Sequence, residues 1–97
     1  MNFEDLFDVL VNRMVTASNQ EREDILSKKR NYPLPVCRWA IGAKLMECGY
    51  PSTKVSQALG MNHATLLYGR NKIKRIKSKL GWKWEIEIVN KFEELCR

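Results

Sequence analysis

The chain has 97 residues, of which 44% are hydrophobic, and a formal net charge of +6. That length suits one domain with a modest core and leaves no room beside it for a nucleotide-hydrolysing domain. No apolar run approaches the ~18 residues of a membrane span, and no signal peptide is visible.

Cys37, Cys48 and Cys96 are odd in number, lack a C-x-x-C pairing and are joined by a single histidine. They read as buried, reduced thiols of a cytoplasmic protein rather than as disulfides or a zinc set. The charge is unevenly spread. Residues 1–27 carry two basic and six acidic side chains, residues 28–80 twelve basic and one acidic, and residues 81–97 three basic and four acidic. A charged block is commonly a solvated face, but solubility favours mixed signs, so this one points to a polyanion, and nucleic acid is the commonest.

From Asn2, placed as an N-cap, the spacing predicts a helix with Phe3, Leu6, Phe7, Leu10 and Met14 on one apolar stripe and acids in its first turns. It should fade at Ser18-Asn19. A short helix over Glu21 to Lys28 is expected to bury Ile25 and Leu26. Lys28-Lys29-Arg30 then runs into Pro33 and Pro35, which exclude a helix interior. The triplet is either a basic helix end complementing the dipole or a loop that meets phosphates or a minor groove. Pro35 to Cys48 predicts the central helix, with Val36, Cys37, Ala40, Ile41, Ala43, Leu45, Met46 and Cys48 covering more than half its circumference. Arg38 and Lys44 are left for a solvent or DNA face, and Gly49 ends the helix.

Pro51 to Ile73, PSTKVSQALGMNHATLLYGRNKI, has the pattern of a helix-turn-helix. Val55 and Leu59 share a face of the first helix, Gly60 stands where a positive φ is needed, and Met61 plugs the corner. Ser56 and Gly69 are small where helices must approach closely. The second helix is expected from Asn62 or His63 to about Lys79, ending at Gly81, with Leu66, Gly69, Ile73 and Ile76 inward. His63, Ala64, Thr65, Tyr68, Asn71, Lys72, Arg75 and Lys79 then face outward. Small polar groups lie in the first turn and cations follow, the order a recognition helix requires. His63 also suits a capping or core role, Thr65 a bond back to its own helix, Tyr68 a seat on the core edge, and the cations simple solvation. Trp82 to Ile88 alternates as a strand would, but the stripe Trp82, Ile86, Val89, Phe92 and Cys96 runs longer, so a helix packed on the first helix is expected.

Three runs, DILSKKR (24–30), CRWAIGAKLME (37–47) and LGMNHATLLYGRNKI (59–73), resemble the C-terminal DNA-binding domain (domain IV) of the bacterial replication initiator DnaA. The resemblance covers nearly the whole chain and is strongest from Asp24 to Ile76. It implies an all-α fold of about six helices, like the tryptophan repressor group. The parts would be N-terminal helices and the start of the basic loop over 1–30, the central helix and helix-turn-helix over 35–80, and a last helix over 82–97. By the same resemblance, Arg30 enters a minor groove, while Asn62, His63, Ala64 and Thr65 read bases in the major groove. It also places Arg38 at the DNA backbone and Pro51, Ser52 and Thr53 where main-chain amides at a helix start meet a phosphate, while Lys28, Lys29, Lys54, Tyr68, Lys72 and Arg75 are expected at the backbone from their own chemistry and position. Departures from the family are a connection one residue shorter, Met61 in place of glycine and arginine, Asn62 for aspartate, Ala64 for threonine, and Trp39 for a glutamine near the DNA. Asn donates as well as accepts, so the hydrogen-bond code differs there.

No G-x-x-x-x-G-K-S/T run, nucleophile–base pair or metal set is present. The expectation is therefore a non-enzymatic, cofactor-free relative of the DNA-binding module without its ATPase. It would bind double-stranded DNA specifically, in replication or transcription, and take no membrane or small-molecule partner. The alternative is a protein-interaction module that keeps the fold and binds an initiator or other partner instead of DNA.

Overall fold

Asn2 opens the first helix as its sequence position suggests: its Oδ1 accepts from the Asp5 amide at 2.8 Å. This is α1 (Phe3–Ser18), which buries Phe3, Leu10, Val11, Met14 and Ala17 and stops at Asn19 in the left-handed region. The computed structural model describes residues 1–97 and is all-helical, with six helices and no strand. No helix is long and apolar enough to cross a membrane.

The second helix is one turn, α2 (Arg22–Ile25), rather than the longer helix expected. Ser27 ends it: its hydroxyl donates to the Asp24 carbonyl at 2.6 Å and accepts from the Lys29 amide at 3.1 Å, a local turn that competes with helical bonding. Ile25 is buried as expected, but Leu26, past the last helical residue, is 40% exposed.

The third helix, α3 (Leu34–Glu47), starts one residue before the expected Pro35, which sits in its first turn where a missing amide hydrogen costs nothing. Nine of its residues are buried, around most of its circumference. It touches all five other helices and is the axis of the core. Three expectations fail on this helix and at its end, for Arg38, Cys48 and Lys44. Arg38 is buried rather than free on an outer face, and Cys48, counted among the buried thiols, is exposed at the helix end. Cys37 is buried, which pushes its thiol up from the ordinary value. Cys96 is half-buried, and burial pushes it up likewise.

Lys44 also leaves its expected outer face. Its ammonium pairs with Glu93 at 2.9 Å, and Lys77 pairs with the same carboxylate at 2.7 Å, tying α3 to α5 (His63–Lys77) and α6 (Lys83–Leu95). Burial alone would raise the Glu93 carboxyl, yet the two bonded ammonium groups hold it below its ordinary value. Its stabilisation is therefore fully present above about 4.5, the unfolded value, and is lost as pH falls through the lower folded value. Burial acts downward on Lys44, but Glu93 and Glu47 leave it above its ordinary value, so its share is lost only at strongly alkaline pH. Glu93→Gln should lower stability at neutral pH and flatten the acid limb of a urea-unfolding pH series. An acid limb identical to the wild type would remove this network from the account.

Between α4 (Ser52–Leu59) and α5 the chain turns within three residues. Gly60 has φ 66, a conformation costly for residues with a Cβ, as its position in the sequence implies. Met61 is half-buried against the core, and its amide closes the end of α4 on the Ser56 carbonyl at 3.0 Å. Leu66, Gly69, Ile73 and Ile76 are the buried face of α5, the four expected. The helix ends at Lys77, earlier than Gly81, because Lys79 takes the left-handed position (φ 67) and the Leu80 amide returns to the Arg75 carbonyl at 2.8 Å.

The tail is helical and α6 packs on α1. Its inward set differs from the expected stripe. Trp82 stands just before the first helical turn in extended conformation and is 71% exposed. Glu85 is buried instead, accepting the Trp82 amide on Oε1 at 2.8 Å. Val89 and Phe92 are buried as expected.

Candidate nucleic-acid interface

Three segments far apart in sequence close on one open groove of about 630 Å³. One wall is the loop after α2, with Lys28, Arg30 and Tyr32. The other is the α4–α5 turn and the first turns of α5, with Asn62, Thr65 and Tyr68. Arg38 and Trp39 of α3 lie between them. Six of the residues singled out from the sequence thus share one concavity: Lys28, Arg30, Arg38, Asn62, Thr65 and Tyr68.

Each wall has a local cause. Asn62 caps α5, its Oδ1 accepting from the Thr65 amide at 2.7 Å. That use of the oxygen leaves its amide NH₂ for other contacts. The cap starts α5 so that His63, Ala64 and Thr65 all fall in its first turn and are all exposed. Behind the opposite wall, the buried Arg38 of α3 donates from Nε to the Ile25 carbonyl at 2.7 Å and from Nη2 to the Asp24 carbonyl at 3.2 Å. Both carbonyls end α2: that of Ile25 receives no backbone amide, whereas that of Asp24 also accepts from the Ser27 amide and hydroxyl. Arg38 is thus the brace of the basic loop as well as part of the groove. Burial lowers its guanidinium from the ordinary value, with Cys37 acting the other way, and an arginine remains charged regardless.

Beneath the groove, Trp39 is buried, so its ring is floor rather than the surface contact the resemblance implies. Tyr68, 61% exposed, meets it edge-on with ring centroids 5.6 Å apart. The tyrosine therefore stands on an aromatic base with its ring largely in solvent.

The remaining candidates lie outside the groove lining. His63 Nε2 and Ser52 Oγ are 2.6 Å apart, joining the starts of α5 and α4 by a hydrogen bond whose direction follows the histidine tautomer. The Ser52, Thr53 and Lys54 amides precede the first helical bond of α4, from Val55 to the Pro51 carbonyl, and are open donors at a positive dipole end. The Lys54 ammonium sits 4.8 Å from the Phe3 ring centroid, against α1. Lys29 is paired with Asp24 at 2.7 Å, which offsets part of its charge. Lys72 and Arg75 continue from Thr65 and Tyr68 at spacings of three and four, the periodicity of one helix face. Lys77, also on α5, is committed to Glu93.

Tyr32 escaped the sequence reading, although it stands two residues after the basic triplet, where an aromatic beside cations is a usable signal. No group of three or more His, Cys, Asp or Glu side chains is gathered where a metal ion could sit. Cationic groups, exposed small polar side chains at a helix start and open backbone donors fit an anionic polymer that also offers hydrogen-bonding edges. No protein-family model matches the chain, and no curated protein matches it.

Proposed function

We propose that this protein binds double-stranded DNA sequence-specifically, and that α4, the Gly60–Asn62 turn and α5 are its helix-turn-helix. In this reading the fold is of the tryptophan-repressor and DnaA C-terminal type, and the protein serves replication or transcription. The first turn of α5 enters the major groove, with Asn62, His63, Ala64 and Thr65 at base edges. Arg30 reaches the neighbouring minor groove or backbone. Lys28, Lys29, the open amides at Ser52–Lys54, and Tyr68, Lys72 and Arg75 follow phosphates. Arg38 supports the loop from behind.

One observation carries the reading: Lys28 and Arg30 of the basic loop line the same groove as Asn62 and Thr65 at the exposed start of α5. A helix start presenting small polar groups beside cations is what groove entry needs, because base edges are narrow targets and phosphates flank them.

The test is selection from a random duplex library, followed by titration of variants on the selected sequence and on unrelated duplexes. Arg30→Ala and His63→Ala should each cost on the order of 1–3 kcal/mol on the selected sequence and much less on the others. Lys72→Ala should weaken every duplex alike and reduce the salt slope by about one. Equal losses on all sequences from all three variants would reduce the function to non-specific binding. No complex with any duplex at low salt would favour the protein-interaction alternative.

A further inference from the structure

The groove does not use the whole of the exposed aromatic surface next to it. Leu80, Trp82 and Trp84, three large apolar side chains within five residues, are 62%, 71% and 36% exposed, and Tyr32 is 59% exposed; exposed apolar groups close together mark interaction sites. Tyr32 links the two regions. It lines the basic groove, and its ring meets Trp84 edge-on with centroids 5.6 Å apart. Trp82 follows from Trp84 across the start of α6, and its backbone is anchored by the buried Glu85 carboxylate. The indole is thus held on a fixed base with its ring in solvent. Core packing does not need it there.

We infer that Tyr32, Trp82 and Trp84 form a stacking platform for unpaired bases, so that the protein binds a single-stranded segment continuous with the duplex in its groove. The inference rests on reading that groove as a nucleic-acid interface. Charge selects the occupant. Lys79 precedes Leu80 and Lys83 stands between Trp82 and Trp84 in sequence, Lys28 and Arg30 precede Tyr32, and Glu85 is turned inward to its cap. A second copy of this chain meeting the same patch would set these cations against their own counterparts. A single strand supplies phosphates for the cations and flat faces for the rings, the usual combination at strand-binding surfaces.

The experiment compares the 97-residue chain on a blunt duplex, the same duplex with a single-stranded tail, and the tail alone, by fluorescence anisotropy at low salt. The tail should tighten duplex binding roughly fivefold or more, and Trp82→Ala should abolish that gain while leaving the blunt duplex unchanged. Tail binding should also quench tryptophan emission, and Trp82→Phe should lose most of the quench. A tail gain on duplexes of any sequence supports the platform even where specific recognition fails. Equal affinity for blunt and tailed duplexes overturns the platform and leaves duplex recognition standing. Trp82-dependent self-association without a tail gain overturns it as well. The tailed-versus-blunt comparison in the unsubstituted chain decides the matter without relying on the folding of any variant.

Discussion

Gly69→Val is expected to destabilise the protein by about 3 kcal/mol or more, lowering the midpoint of thermal unfolding by at least ~12 °C. A Cβ at residue 69 would lie 2.2 Å from Trp39 Cδ1, 2.3 Å from Cγ and 2.9 Å from Cβ. These atoms belong to the base of a bulky ring, not to the end of a flexible chain. The indole has little room to yield, being buried and backed against Tyr68. Relief requires either a new Trp39 rotamer pressed into the groove or a shift of α5 away from α3, which would carry His63 to Thr65 with it. DNA affinity should therefore fall together with stability. Gly69→Ala separates this account from simple helix propensity. Alanine in place of glycine inside an unhindered helix stabilises by up to ~1 kcal/mol, whereas here overpacking reverses the sign. A Gly69→Ala variant that melts above the wild type would show that the close approach does not govern this site.

The second large effect is expected at Arg38. Arg38→Met keeps much of the side-chain volume but removes two charge-assisted bonds to the carbonyls that end α2. Such bonds contribute about 1.5–3 kcal/mol each, and a buried carbonyl left without a donor adds a penalty of its own. A net loss of about 2–4 kcal/mol is expected, with residues 26–33 released from the body of the molecule. Trypsin should then cut faster at Lys28, Lys29 and Arg30, and binding should weaken on random duplexes through Lys28 and Lys29 and further on the selected sequence through Arg30, because the loop is no longer held beside α5. A residue that only touched phosphate from the surface would behave differently. Its loss would weaken DNA binding and leave both the melting curve and the cleavage rate unchanged. Arg38→Lys should fall between the two, since one ammonium on a flexible stem reproduces the charge but not the two-pronged reach of a guanidinium.

Much of this architecture was legible in the residues alone because local signals carried it. Asn2 and Asn62 have side chains that accept from a helix's first free amides, and both cap helices here. Gly60 supplies the positive φ that the turn requires. The stripe Leu66, Gly69, Ile73, Ile76 followed from helical periodicity, and so did the outward set His63, Ala64 and Thr65. Each of these depends on neighbours within a few residues, so order in the chain was sufficient. The excess of cations over residues 28–80 was visible for the same reason, since charge can be counted without coordinates.

Other outcomes depended on residues that meet only after folding. Arg38 and Lys44 looked like outer-face cations because the groups that draw them inward are not near them in sequence; the one nearby acid, Glu47, is itself exposed. Their partners are the end of α2 and Glu93, the latter 49 residues away. Glu85 displaced Trp82 from the inward position because a carboxylate that caps its own helix can be buried, while the residue before the first turn does not share the helical register. Leu26 was misjudged because one serine hydroxyl closed α2 early. The groove itself belongs to this second class. The amino-acid order supplied its cations and its helix start, but only the packing of α3 against both walls brought Arg30 and Thr65 to the same concavity, since periodicity describes one helix at a time and is silent about which helices meet.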